Sequence, residues 1–165
     1  MPRNPSPRDP EQVADTANHV GELLEVLWGR AQEKAPSGPI PPSQLRALKL
    51  IEEQGSVNQR TLGEVLGTGP SSVSRLCDRL EAAGLLERVP SATSRREVEL
   101  TLSAQGEKVL DELRLARTRE VAEVLRTMAP SHLGMLSEGL ERLRQAATVH
   151  VGLERPAADD TSAIA

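Results

Sequence analysis

Short hydroxyl side chains and arginines are grouped at the start of one predicted helix, in the stretch GPSSVSRLCDRLEAAG (69–84). Its apolar side chains recur at helical spacing and are predicted to face a core: Val73, Leu76, Leu80 and Ala83. The side chains left on the outer face are predicted to bind DNA: Ser71, Ser72, Ser74, Arg75 and Arg79. Serine hydroxyls can bond phosphates or base edges, and arginine can bind guanine through two hydrogen bonds. The proline at the first helical position leaves the helix N-terminus open to a phosphate.

A second group of basic side chains lies in the segment that follows this helix. The pieces LLERV (85–89) and EVELTL (97–102) predict two strands, since apolar and polar residues alternate in the second one. The stretch from Arg88 to Arg96 contains three arginines and no acidic residue, so the arginines repel one another unless a negatively charged partner meets them. We therefore expect a β-hairpin that lies against the DNA backbone or minor groove, with Arg88, Arg95 and Arg96 as its DNA-binding residues.

Two further short helices are predicted before this recognition helix, which covers residues 70–83. The first covers residues 42–54 and ends at Gly55, a residue type that is common just after a helix C-terminus. The second follows Asn58, which is a favourable N-cap residue. Two short helices joined by a glycine-containing turn and followed by a hairpin describe a winged helix-turn-helix module, here over residues 42–102.

Long helices are predicted on both sides of this module. Residues 12–35 form the first, and its apolar residues step by three and four: Val13, Ala17, Val20, Leu24, Leu27 and Ala31. Residues 103–150 form two more, one capped by Ser103 and the other with a second seam: Leu133, Leu136, Leu140, Leu143 and Ala147. Seams of this length exceed what one small module can cover, so we predict dimerisation helices at both ends. The alternative is that the seams pack only on each other within one chain.

The composition agrees with a helical core. Hydrophobic residues make up 38% of the chain, which has one Trp and neither Tyr nor Phe. A core of Leu, Val and Ala favours helix packing. Residues 36–41 are predicted to be a proline-rich linker, and residues 1–11 and 151–165 to be disordered tails. The predicted fold class is mainly α with a small β-hairpin, a winged helix-turn-helix module framed by N- and C-terminal dimerisation helices.

The net charge of −4, from 24 acidic and 20 basic residues, is unusual for a DNA-binding protein. The charges are segregated, however: residues 58–96 hold six basic and four acidic residues, whereas residues 1–40 hold four basic and six acidic ones. DNA responds to the local field, and the module keeps an excess of positive charge. The chain shows neither a signal peptide nor an apolar run long enough to span a membrane, so a soluble, cytoplasmic protein is expected.

Few residues suit catalysis or metal binding. The three histidines are dispersed and Cys77 is the single cysteine, so no metal site and no cofactor are predicted. Neither a phosphate-binding loop nor a nucleophile motif is present, and an enzyme is not expected. Cys77 lies on the flank of the buried stripe of the recognition helix, where a small cysteine is commonly inert. A regulator that responds to oxidants through Cys77 stays open as an alternative.

The sequence resembles the MarR family of bacterial transcriptional regulators over roughly residues 12–149. The resemblance rests on LEAAGLLER (80–88), on the wing segment SRREVELTL and on the helix start LSAQG (102–106). The family implies a homodimer whose recognition helices enter successive major grooves of a pseudo-palindromic operator on double-stranded DNA. Most such regulators are repressors, and an effector releases them from DNA.

The resemblance also implies a site for a small hydrophobic or phenolic effector, in the crevice between the dimer helices and the module. The candidates to line this site are His19, Leu23, Trp28 and Leu48. The wing of the family usually contains Asp-Arg-Arg, and Ser94 stands in the position of the acid here. Asp78 is then a substitute partner for Arg95.

The predicted function is a dimeric DNA-binding transcriptional regulator. The alternative from a different class is a winged-helix module that contacts an acidic protein partner through its wing arginines and does not bind DNA.

Overall fold

Six helices and three short strands make up the described residues, 9–91 and 98–151, of the computed structural model. The helices are α1 (Pro10–Lys34), α2 (Pro42–Gln54), α3 (Gln59–Leu66), α4 (Pro70–Ala82), α5 (Ala104–Leu125) and α6 (Pro130–His150). The strands are β1 (Val57–Asn58), β2 (Leu86–Pro90) and β3 (Val98–Leu102). The predicted fold class, mainly α with a winged helix-turn-helix module, is confirmed.

The chain divides into two compact units, the first ending at Val121 and the second beginning at Ala122. The first unit contains α1 to α4, the sheet and most of α5. The second contains the end of α5 and all of α6, and no residue of α6 is buried.

Local sequence signals place the helix ends. Four helices, α1, α2, α4 and α6, begin with a proline, whose missing N–H costs nothing in the first turn. The Asn58 side chain caps α3 by accepting a hydrogen bond from the Thr61 N–H at 2.8 Å, as predicted. Gly55 ends α2 with a φ of 73°, a backbone conformation that favours glycine.

The N-terminal helix is longer than predicted. The Asp9 side chain accepts a hydrogen bond from the Glu11 N–H and α1 begins at Pro10, so residues 10–11 are helical and do not belong to a disordered tail. An acidic N-cap followed by proline is a favourable helix start that the apolar periodicity did not reveal. The remainder of both predicted tails, residues 1–8 and 152–165, lies outside the described residues.

The core of the first unit is aliphatic, as the composition predicts. Its largest fully buried side chains come from α2, α3, α4, β3 and α5: Leu48, Ile51, Leu62, Val73, Cys77, Leu80, Leu100 and Leu110. The prediction that Ala83 faces this core is wrong, because Ala83 is the C-cap residue of α4 and is exposed.

The three strands form an antiparallel sheet in the order β1-β3-β2. The predicted hairpin is present, with Leu86 opposite Leu102 and Arg88 opposite Leu100. Val98, predicted to be buried with Leu100, is 49% exposed because it begins β3 at the end of the hairpin farthest from the core. Strand β1 was not predicted, since two residues are too few to show a pattern.

The junction between the wing and α5 depends on close backbone packing. The Ser103 hydroxyl accepts a hydrogen bond from the Gly106 N–H at 3.0 Å, which caps α5 as predicted, and donates one to the Gly84 carbonyl oxygen at 2.5 Å. A Cβ atom on Gly106 would lie 2.2 Å from the Leu85 carbonyl oxygen. Glycine is therefore required at position 106 if α5 is to start this close to the strand.

Candidate nucleic-acid interface

Helix α4 separates its side chains into an anchor and an outward face. Val73, Leu76 and Leu80 are buried as predicted. Of the predicted DNA-binding side chains on this helix, Ser74 is half-buried and the other four are exposed: Ser71, Ser72, Arg75 and Arg79. The outward face therefore combines two hydroxyls near the helix N-terminus with two arginines one turn apart, an arrangement that can bond phosphates and guanine edges.

The N-terminus of α4 is not closed by a side chain. Its N-cap residue is Gly69, and among the described residues no side chain accepts a hydrogen bond from the first turn. Pro70 has no N–H, and the Ser72 and Val73 N–H groups donate to the Gly69 carbonyl oxygen at 3.0 and 3.1 Å, so the partial positive charge that favours an anion at this end comes mainly from the helix dipole.

Arg88 connects α4 with the wing. It lies in β2, where its guanidinium donates to the Asp78 carboxylate at 2.6 Å and to the Glu81 carboxylate at 2.9 Å. The hydrogen bond to Glu81 is the main reason that the pKa of Arg88 is raised. The charge of Arg88 is thus already matched within the chain, and this placement indicates a structural role before any contact with DNA. Asp78, predicted as a substitute partner for Arg95, is the partner of Arg88.

This pairing explains why the outward face of α4 carries positive charge. The helix contains two acidic and two basic side chains, so its sequence alone is neutral. Asp78 and Glu81 are offset by an arginine from outside the helix, whereas Arg75 and Arg79 make no ion pair with any residue that the structure describes. The uncompensated charge on the outward face is therefore positive, although the protein as a whole is acidic.

The base of the wing is held by a residue that no sequence pattern singled out. The Glu99 carboxylate accepts hydrogen bonds from the hydroxyls of Ser56 and Ser91, each at 2.7 Å. These bonds, led by the one from Ser56, lower the pKa of Glu99. Only the alternation of β3 could have drawn attention to Glu99, because its partner Ser56 lies 43 residues away in the chain. The wing residues Ser94, Arg95 and Arg96 lie outside the described residues.

Cys77 belongs to the core of the module. Its side chain is fully buried, and this burial is the main reason that the pKa of its thiol is raised. Reactive cysteines are exposed and have a lowered pKa, so both properties of Cys77 argue against a redox trigger.

The four residues predicted to line an effector site are not brought together. Leu48 has no exposed surface and belongs to the core, so it cannot line an open cavity in this chain. Leu23 is 65% exposed and His19 is exposed beside Asp15 at 3.9 Å, both on α1. The half-buried Trp28 ring packs against the Arg117 guanidinium, which lies 5.0 Å from the ring centroid.

A cavity that the sequence did not indicate lies between the end of α1 and α5. Four apolar and four charged residues line it: Ala31, Pro36, Leu115 and Ala116, and Lys34, Glu112, Arg119 and Glu120. Lys34 and Glu120 form an ion pair of 2.5 Å there.

The described part of the chain contains no group of three or more His, Cys, Asp or Glu residues that could hold a metal ion. None of its helices is both long and apolar enough to cross a membrane.

Comparisons with known proteins agree with this architecture. The model of the MarR family matches residues 39–97, which cover most of the module. The chain is 27% identical over 135 residues to the HTH-type transcriptional repressor MdtR of Bacillus subtilis, covering 82% of this chain and 87% of that protein. It is 30% identical over 123 residues to the HTH-type transcriptional regulator Mb0904 of Mycobacterium bovis, with 74% and 86% of the two chains covered. The crystal structure of RV1404 from Mycobacterium tuberculosis superimposes with a TM-score of 0.73 at 28% identity, covering 87% of this chain and 98% of that one.

Proposed function

Because the chain belongs to the MarR family of helix-turn-helix transcriptional regulators, we propose that it is a homodimeric repressor that binds a pseudo-palindromic operator. Each subunit inserts α4 into a major groove and contacts DNA with five of its side chains: Ser71, Ser72, Ser74, Arg75 and Arg79. Arg95 and Arg96 of the wing contact the backbone or minor groove, while Arg88 holds α4 against β2. A repressor that binds the bacterial chromosome acts in the cytoplasm, which is the compartment we propose.

The observation that supports DNA binding most strongly is the charge distribution on α4. Arg75 and Arg79 are exposed without an ion-pair partner among the described residues, and the two acids of the same helix are paired with Arg88. Two uncompensated arginines on one outward face are explained by a negatively charged partner that approaches from solvent. The open N-terminus of α4 suits the phosphates of that partner.

Dimerisation is supported by exposed apolar side chains at both ends of the chain. On α1 these are Val13, Val20, Leu23 and Val26, and on α6 they are Met135, Leu140, Leu143 and Val149. A monomer would leave these side chains in water, whereas a two-fold interface buries the same side chains on both subunits. Two subunits then present two copies of α4 to successive major grooves.

Two observations support the proposed repression and effector release. The relative MdtR is named as a repressor. The lining of the cavity between α1 and α5 combines apolar side chains (Ala31, Leu115, Ala116) with charged ones, as small-molecule sites commonly do. We propose that a small apolar effector binds there and shifts the dimer away from the arrangement that fits DNA.

Substitution of Arg75 tests DNA binding by α4. Arg75→Ala should weaken binding to the promoter DNA beside its own gene by about 1–3 kcal/mol if Arg75 contacts a guanine. The matched control is Arg46→Ala, which removes the same charge from an exposed position on α2 and should change binding little. Fluorescence anisotropy titrations at two salt concentrations measure both.

Equal affinities for the wild type, Arg75→Ala and Arg46→Ala would contradict the proposed role of α4. A wild-type protein that stays dimeric but binds no DNA at low salt would instead favour the winged-helix module that contacts an acidic protein.

A further inference from the structure

Arg88 lies on the side of the sheet that packs against the core. Alternate residues of a strand point to the same side, so Arg88 shares its side with Leu86, which is 2% exposed. Its partner across the sheet is Leu100 of β3, which is 1% exposed. The aliphatic part of an arginine can lie along such an apolar surface while its charged end stays at the rim. The Arg88 side chain, 31% exposed, is therefore turned mainly toward the module.

The guanidinium of Arg88 reaches both helices of the helix-turn-helix. On α4, its Nη2 donates to Asp78 Oδ1 at 2.6 Å and its Nε donates to Glu81 Oε2 at 2.9 Å. Its Nη1 lies 3.5 Å from Gln59 Oε1 at the start of α3, the long limit of a hydrogen bond. One side chain of β2 thus contacts α4 firmly and α3 weakly.

These contacts use the property that distinguishes arginine from lysine. The guanidinium is planar and holds its N–H donors in a fixed fork, so two carboxylates bonded to it are kept in fixed directions. Asp78 and Glu81 are about half exposed, with side-chain exposures of 61% and 46%, and lie outside the buried stripe of α4. The buried stripe sets how deeply α4 packs. The fork of Arg88 adds a constraint on the rotation of α4 about its own axis.

Reading of bases depends on this rotation more than binding of the backbone does. An arginine binds guanine through two directed hydrogen bonds, whereas its attraction to phosphates is long-range and independent of sequence. A small rotation of α4 would move Arg75 and Arg79 away from base edges and would leave their charges near the backbone. Loss of the fork should therefore reduce the preference for one sequence more than the affinity for DNA in general.

On the basis of the DNA binding proposed above, we propose that Arg88 is a positioning residue that determines the sequence specificity of α4. Its fork holds α4 in the orientation in which Arg75 and Arg79 reach base edges. Arg88 acts through Asp78 and Glu81 and does not touch DNA.

The variant Arg88→Lys in the full chain tests this role, because it keeps the charge and removes the fork. Fluorescence anisotropy compares two duplexes of about 30 base pairs, the sequence that the wild type enriches from random DNA and a random sequence. The Kd for the enriched duplex should rise about tenfold, the loss expected when one two-bond base contact is misplaced. The Kd for the random duplex should change by less than about twofold, because the phosphates still meet the same charges.

The matched control is Arg114→Lys. Arg114 donates to Asp111 at 2.8 Å and to Glu52, so it joins α5 to α2 much as Arg88 joins β2 to α4. Neither of these partners lies on α4. Arg114→Lys should therefore leave the ratio of the two Kd values unchanged.

The double variant Asp78→Asn with Glu81→Gln approaches the same bonds from α4. It keeps Arg88 and removes two negative charges beside Arg75, so charge alone predicts tighter binding to both duplexes by the same factor. A direct contact between Arg88 and a phosphate predicts the same result, because Arg88 is released from its carboxylates. Positioning predicts tighter binding to the random duplex and a smaller preference for the enriched one, since bonds to neutral acceptors are weaker.

An Arg88→Lys variant that keeps wild-type affinity for the enriched duplex, or loses both duplexes by the same factor, overturns the positioning role while DNA binding stands. If Arg88→Lys does not fold, an unchanged preference in the double variant overturns that role instead. A wild type that binds random DNA but enriches no sequence overturns operator recognition and the role of Arg88 with it. A folded wild type that binds no duplex at low salt overturns the proposed function as a whole.

Discussion

Arg88 offsets part of the negative charge of α4, the predicted recognition helix. Its two bonds reach Asp78 and Glu81 on α4, and its side chain is 31% exposed. Exposed ion pairs of this kind contribute only about 0.2–1 kcal/mol each to stability. Their larger effect is on the field, because the single positive charge of Arg88 offsets one of the two negative charges of Asp78 and Glu81, which would repel phosphate beside Arg75 and Arg79. At the scale of single residues, the positive charge of the face that we propose binds DNA therefore depends on a residue outside α4.

Periodicity could predict which side chains of α4 face outward, but not which of them are paired. Burial of Val73 and Leu80 follows from helical spacing within 13 residues. The partners of Arg88 lie seven and ten residues away, across the turn between a helix and a strand. The distances across that turn depend on the register in which β2 pairs with β3, and local sequence patterns do not predict this register. This is why neither the pairing of Arg88 with Asp78 and Glu81 nor the hydrogen bonds of Glu99 to Ser56 and Ser91 were predicted.

Cys77 provides a prediction at the same scale. In the native protein, its thiol should react with a disulfide reagent at pH 8 roughly tenfold or more slowly than in the denatured protein. Burial raises its pKa, so less thiolate is present at this pH, and the rate should increase as the pH rises toward the raised pKa. Stopped-flow absorbance measures the rate.

The denatured protein in guanidinium chloride is the control, because it exposes the same thiol without its environment. Equal rates in the native and denatured states would contradict the inert core role and would revive the Cys77-based redox response.

The elements of the module are connected by close contacts at the start of α5. Ser103 caps this helix and bonds the Gly84 carbonyl oxygen, and Gly106 lets the first turn approach Leu85. The residues that follow α4 and those that start α5 are therefore in direct contact. A shift of α5 at this point would move the strand that follows α4.

Gly106→Ala should destabilise the protein by about 1–3 kcal/mol, because a backbone oxygen at 2.2 Å cannot rotate away from the added methyl group. The matched control is Gly134→Ala within α6, where an added Cβ meets nothing within 4 Å. That change should stabilise the helix by up to about 1 kcal/mol. Chemical denaturation followed by circular dichroism gives both free energies of unfolding, and a neutral Gly106→Ala would refute the close contact.

Helices α2, α3 and α4 could be predicted well because their signals are local. Asn58 caps α3, Gly55 ends α2, and prolines start α2 and α4, and none of these features needs knowledge of the tertiary structure. Strand β1 and the exposure of Val98 depend on strand pairing between distant segments. The cavity between α1 and α5 likewise depends on packing, so the effector residues inferred from the resemblance did not coincide with its walls.

At the scale of the whole molecule, the terminal helices carry apolar surface that a single chain does not bury. None of the residues of α6 is buried, and Leu140 and Leu143, one turn apart on it, are both more than half exposed. Ala31 is the only buried residue of the 25 in α1. Such surfaces are typical of subunits that associate through a two-fold interface. Dimerisation would also double the positive faces that we propose contact DNA, which would offset the overall acidity of the chain.

Selection of bound sequences from random double-stranded DNA by the wild-type protein tests the central claim most directly. A dimer that places one α4 in each of two successive major grooves should enrich an inverted repeat whose half-sites lie about 10 base pairs apart. Enrichment should diminish steeply as the salt concentration increases. A selection at low salt that enriches no sequence would contradict the proposed operator recognition, and a single half-site without symmetry would contradict binding as a dimer.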